Sequence, residues 1–112
     1  MKPTAKLHEL GQSLWLDNIT RTMLGDGTLA GYIEELSVTG LTSNPTIFDK
    51  AISGGDAYDE QIAELAELGD AEAIFFQLAL ADLRDATDLF EGVHERTAGV
   101  DGYCSLEVSP KL

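Results

Sequence analysis

Gly40-Leu41-Thr42-Ser43-Asn44-Pro45-Thr46-Ile47-Phe48 is the stretch on which the fold turns. Val38 and Thr39 before it are β-branched, and with Gly40 to Ser43 they suit a strand ending near Asn44. Asn44 is a good helix N-cap, because its side-chain oxygen can accept an orphan N–H of the first turn. Pro45 falls at the first helical position, where its missing N–H costs nothing and its fixed φ suits the helix. One polar residue thus closes a strand and opens a helix. Taken alone, the stretch is better explained by ordinary turn and cap chemistry. In α/β folds, however, polar groups at the carboxyl end of a parallel strand are where chemistry is placed.

Working outward, Thr4 to Leu10 reads as a short helix that stops at Gly11. Ser13-Leu14-Trp15-Leu16-Asp17 then alternates as a strand, with Leu14 and Leu16 on one face and Ser13, Trp15 and Asp17 on the other. Asp26-Gly27-Thr28 opens a helix through Leu36, whose Leu29, Tyr32, Ile33 and Leu36 follow the spacing of a buried stripe. Downstream of Asn44, the helix carrying Ile47, Phe48, Ala51 and Ile52 is predicted to stop at Gly54-Gly55. Asp56 is expected to cap the next helix, with Tyr58, Ile62 and Leu65 on one side and Gly69 as its stop. A long helix follows from about Ala71 to His94, with Phe76, Leu80, Leu83 and Phe90 turned inward. After a turn over Gly99 to Gly102, Tyr103 to Val108 forms a third strand: Cys104, Leu106 and Val108 face one way, Tyr103, Ser105 and Glu107 the other.

Strands alternating with helices in this manner predict an α/β fold with parallel strands joined by right-handed crossovers. A dinucleotide-binding unit wants a Gly-rich fingerprint directly after its first strand, and Asp17-Asn18-Ile19-Thr20 has none. A β/α barrel, or part of one, is the better choice. In all three strands the apolar side can pack under helices, while Asp17, Thr42 and Asn44, Ser105 and Glu107 occupy the other side.

The chain has 112 residues, enough for one domain with a real core and too few for two. Twenty acidic residues stand against 7 basic ones, for a formal charge of −13. Such a balance repels nucleic acid and anionic membrane, so neither is an expected partner. No apolar run reaches bilayer-spanning length, and a cytoplasmic location is the default expectation. A single cysteine, Cys104, excludes an internal disulfide and a cysteine-rich metal site.

Asp17 and Glu107 are the candidate pair of carboxylates, on different strands at one rim and able to share a water or a substrate hydroxyl. For Asp17 alone a turn-capping role is the first expectation. Glu107, between Leu106 and Val108, needs solvent, a partner or a cavity. His8 and His94 lack neighbours at metal-ligand spacing and read as surface residues. Cys104 alternates onto the apolar side as a small core residue. Trp15 serves equally well as pocket wall or core filler. The run Asp82 to Asp88 reads as the wet side of its helix.

With these residues in place, the stretch from Gly40 to Phe48 resembles the transaldolase signature around the second barrel strand. Ser13-Leu14-Trp15-Leu16-Asp17-Asn18-Ile19 is similar to the family's first strand, and Asp101-Gly102-Tyr103-Cys104-Ser105-Leu106-Glu107-Val108-Ser109-Pro110 to its third. The wording of Leu14 to Ile19 and of Asn44 to Phe48 is similar to the branch found in actinobacterial and bifunctional transaldolases. The resemblance implies a TIM-type (β/α)8 barrel enzyme of the pentose phosphate pathway. Such an enzyme moves a dihydroxyacetone unit between sugar phosphates, from sedoheptulose 7-phosphate to glyceraldehyde 3-phosphate, through a lysine Schiff base and with no metal or organic cofactor. It further implies that Asp17 assists proton transfer, that Glu107 acts through a water, and that Thr42 and Asn44 bind substrate.

The family's Schiff-base lysine belongs to a fourth strand, in a Lys-Ile-Pro-like context. Neither Lys50, on the helix after the second strand, nor Lys111, directly after Pro110, stands in that place. Residues 1–112 are therefore expected to be a single partial barrel domain, truncated before the fourth strand and inactive by itself. Two alternatives keep their own expectations. One is a degenerate interaction module, self-associating through the open edges of a three-stranded sheet. The other is a fragment of a fructose 6-phosphate aldolase or of a transaldolase–phosphoglucose isomerase fusion.

Overall fold

The computed structural model describes residues 2–107. Three strands, β1 (Leu14–Leu16), β2 (Val38–Ser43) and β3 (Tyr103–Leu106), form one sheet in the order β1-β2-β3. Both pairings are parallel. The β1–β2 crossover is made by α2 (Arg21–Gly25) and α3 (Thr28–Leu36), and the β2–β3 crossover by α4 (Pro45–Ser53), α5 (Asp59–Leu65) and α6 (Ala71–Arg96). A further helix, α1 (Pro3–Glu9), leads into β1. Consecutive parallel strands with helices between them build the architecture of the amino-terminal part of a β/α barrel. Val108 and Lys111 lie outside the described residues.

The sheet buries one face only. Leu41, fully buried at the centre of β2, joins Phe48, Ala79, Leu83, Ala86, Phe90 and Val93 in the core, and Leu16, Cys104 and Leu106 pack against it. Trp15, Tyr103, Ser105 and Glu107 on the other face are exposed. Trp15 lies over Gly40 so closely that a Cβ at residue 40 would overlap the indole, which is why that strand position has no side chain. Burial pushes the Cys104 thiol up to about 11. At pH 8 its thiolate fraction, and with it the rate of alkylation by iodoacetamide, should be roughly 100-fold below that of the urea-unfolded chain. Equal rates in the two states would place the thiol outside the packed layer.

Asn44 sets the end of β2 and the start of α4. Its Oδ1 accepts the Ile47 N–H at 3.0 Å, and Pro45 takes the first helical position. Replacing Asn44 with alanine should cost about 1 kcal/mol, read as a lower urea midpoint at unchanged slope.

Four sequence expectations need correction. α2 was not anticipated between Asp17 and Asp26; it is opened by Thr20, whose hydroxyl accepts the Met23 N–H at 3.1 Å. Asp56 does not cap α5, which begins three residues later after the buried Tyr58; the Asp56 backbone carbonyl accepts the Asp59 N–H instead. The inward line of α6 is Leu78, Ala79, Asp82, Leu83, Ala86, Phe90 and Val93, whereas Phe76 and Leu80 are only half-buried. The amino-terminal end of α6 packs on α2, α4 and α5 instead of the sheet, with Phe75 edge-on to Phe48 at 6.1 Å between centroids. The fourth correction is Asp82, which is not on the wet side of its helix but fully buried.

Candidate active site

Each candidate residue follows from where its strand stops. Asp17 comes directly after β1, Asn44 directly after β2 and Glu107 directly after β3, while Thr42 lies within β2. Leu16 pairs with Leu41, Thr42 with Ser105 and Ser43 with Leu106, so β2 and β3 end level while β1 ends two residues lower, with Asp17 beside Thr42. The Glu107 N–H donates to the Ser43 carbonyl at 3.0 Å, which holds the end of β3 beside β2. Asp17 and Glu107 are exposed; Thr42 and Asn44 are half-buried between them. All four sit at the carboxyl side of one parallel sheet.

Strand spacing and rise put the Asp17 and Glu107 backbones on the order of 12 Å apart, on either side of the central strand. The two carboxylates therefore stand on opposite sides of β2 and not side by side. Among the described residues no hydrogen bond joins Asp17, Thr42, Asn44 and Glu107 to one another. Asn44 spends its Oδ1 on the helix cap, which leaves its amide NH2 as a donor for an oxygen lying over β2. Trp15 and Tyr103, at 40% and 45% exposure, flank Gly40 lower on the same face, and Tyr103 turns toward the amino end of β3, its hydroxyl donating to the Gly99 carbonyl and its ring edge-on to His94. Lys50 is exposed on α4, away from the face. Among the described residues no group of three or more His, Cys, Asp or Glu is arranged to hold a metal ion, and no helix is long and apolar enough to cross a membrane.

Sequence reasoning missed a second polar cluster. Asp82 Oδ1 accepts from Arg21 Nε at 2.8 Å, and its Oδ2 accepts from the Tyr58 hydroxyl. Arg21 also stacks over the Tyr58 ring at 4.2 Å, and the Arg21 backbone N–H donates to the Tyr58 hydroxyl at 3.2 Å. Burial, and then the Asp82 carboxylate, hold the Tyr58 hydroxyl well above the usual phenol range. The signal for this cluster was present: Asp82 stands between Ala79 and Ala86 on an apolar stripe, where a carboxylate needs a partner. A buried carboxylate at the opposite end of the sheet, Asp101, accepts from the Ser13 hydroxyl at 2.7 Å and has its own N–H on Thr97 Oγ1 at 3.0 Å. It fixes the turn into β3.

A parallel sheet bare on one face, with its polar residues gathered at the strands' carboxyl ends, defines a segment of a β/α-barrel enzyme. The sequence profile of the transaldolase/fructose-6-phosphate aldolase family matches residues 14–112, and the chain belongs to that family. It is 48% identical over 113 aligned positions to a transaldolase of Thiobacillus denitrificans, covering 100% of this chain and 32% of that protein. It is 45% identical over 111 to one of Kocuria rhizophila and 47% identical over 111 to one of Arthrobacter sp., in each case 98% of this chain and 30% of the relative. The chain thus spans about a third of the length of the curated relatives it matches.

Proposed function

We propose that the chain supplies the first three strands of a transaldolase. In this reading, a three-carbon dihydroxyacetone unit passes from sedoheptulose 7-phosphate to glyceraldehyde 3-phosphate, giving erythrose 4-phosphate and fructose 6-phosphate, in the cytoplasm. The observation that carries it is the placement of Asp17, Asn44 and Glu107 at the carboxyl ends of three adjacent parallel strands. The substrate chain lies over β2. Thr42 and the free amide of Asn44 hold its hydroxyls, Asp17 takes or returns the proton as the carbon–carbon bond breaks, and Glu107 works through a water from the far side. A carboxylate suits both proton steps only while it stays next to the reacting oxygen.

The Schiff base needs a lysine held neutral by desolvation or a neighbouring cation. Lys50 is exposed on an outer helix, so residues 1–112 alone carry no turnover in this reading. Joining them to the carboxyl-terminal remainder of the Thiobacillus denitrificans transaldolase should give an enzyme active on sedoheptulose 7-phosphate and glyceraldehyde 3-phosphate. A folded fusion without that activity would sink the assignment. Borohydride trapping with fructose 6-phosphate should label the fusion and not the 112 residues. Labelling of the latter, lost on Lys50→Ala or Lys111→Ala, would show that the chain carries its own nucleophile.

A further inference from the structure

The buried cluster of Arg21, Tyr58 and Asp82 does more than fill a gap between helices. Asp82 stands 14 residues before the end of α6, at Arg96, which is about 21 Å of helix. β3, starting from that end of the molecule, rises only about 13 Å over its four residues. Counted from that end, the cluster lies past the strands' amino ends and toward their carboxyl side, in the helix layer. Its three members come from three different parts of the chain: α2, the segment entering α5, and α6. Arg21 is four residues beyond Asp17. Between them Ile19 is fully buried in the core, and Thr20 opens α2. The segment from Asp17 to Arg21 is thus pinned at Ile19 and again at Arg21, with nothing but Asn18 between the first pin and Asp17.

We infer that the Arg21–Tyr58–Asp82 cluster is a positioning device that holds the β1–α2 connection so that Asp17 keeps its place at the rim. The geometry suits that task. A guanidinium bonded to one carboxylate oxygen, and a phenol bonded to the other, fix Asp82 from two directions. The same phenol oxygen then accepts the Arg21 backbone N–H, so the main chain as well as the side chain is tied down. Arg21, a planar donor that also stacks on the ring, cannot be replaced by lysine in this arrangement. None of the three is assigned to substrate; each acts through the connection that carries Asp17. The inference rests on the transaldolase reading only for what Asp17 does there.

The test is 15N relaxation of the 112-residue chain and its Tyr58→Phe and Arg21→Lys variants. It reads native-state order and needs no activity, so its failure is distinct from a failure of the fusion described above. Order parameters at residues 17–22 should lie near about 0.85 in the parent and fall below about 0.6 in both variants, while Val38–Ser43 stays rigid. A purely stabilising cluster shifts unfolding but leaves native order where it was. Residues 17–22 equally ordered in parent and variants, or already mobile in the parent, would overturn the inference. So would a collapse of the dispersed spectrum in both variants, because the cluster would then support the whole fold and not one connection.

Discussion

Replacing Asp82 with alanine should cost the fold roughly 3 kcal/mol, the largest loss expected for any single side chain outside the apolar core. The reason is what is left behind. Asp82 is fully buried, and its removal takes the carboxylate acceptor from Tyr58, a residue 2% exposed, and from the Arg21 side chain, 24% exposed, which keeps only the Leu78 carbonyl at 3.5 Å. An uncompensated charge and an unpaired hydroxyl then bear their own desolvation. Urea titration reads the effect as a lower midpoint at similar slope. A triple change to Arg21→Met, Tyr58→Phe and Asp82→Leu should restore much of the loss, since apolar groups of similar volume leave nothing to satisfy. A loss below about 1 kcal/mol for Asp82→Ala would mean that water reaches the cluster and that it is not a closed unit.

The second large effect is on turnover. In the fusion with the relative's carboxyl-terminal part, Asp17→Asn should lower kcat by about 10²- to 10⁴-fold, the range for a lost proton-transfer group. Glu107→Gln should act in the same direction. KM should change little in both, because hydroxyl binding is assigned to Thr42 and Asn44. Both side chains are exposed, so the unfolding free energy from urea titration should stay within about 0.5 kcal/mol of the parent. Activity lost together with stability would point to misfolding. Near-parental kcat in Asp17→Asn would remove Asp17 from the reaction.

Much of the fold was legible because the local signals agreed with one another. Asn44-Pro45 marks a strand end and a helix start at once, and both occur there. The alternation in Leu16-Asp17 and in Cys104 to Glu107 gives the buried and bare faces that the sheet shows. The position of α3 was written in Asp26-Gly27-Thr28, where Asp26 Oδ1 accepts the Thr28 N–H at 2.9 Å. What failed did so for tertiary reasons. α2 is five residues long, too short for periodicity to register, and its cap is visible only once Met23 is known to be buried. Asp82 was misread because charges clustered along a helix usually face water. Its partners lie 61 and 24 residues away, beyond the reach of any local pattern. The candidate site depended on three strand ends meeting, which the alternation of elements implied but only the pairing of β1, β2 and β3 displays.

Trp15 is the sole tryptophan of the chain, and its indole rests on Gly40 on the bare side of the sheet. It is a built-in optical gauge of whether that face is wet or enclosed. Its emission should sit toward the red in these residues alone and move to the blue once further strands wrap around to complete a cylinder. Assembly of the barrel can then be followed with the native fluorophore, and without any dye attached to the rim where the chemistry is assigned.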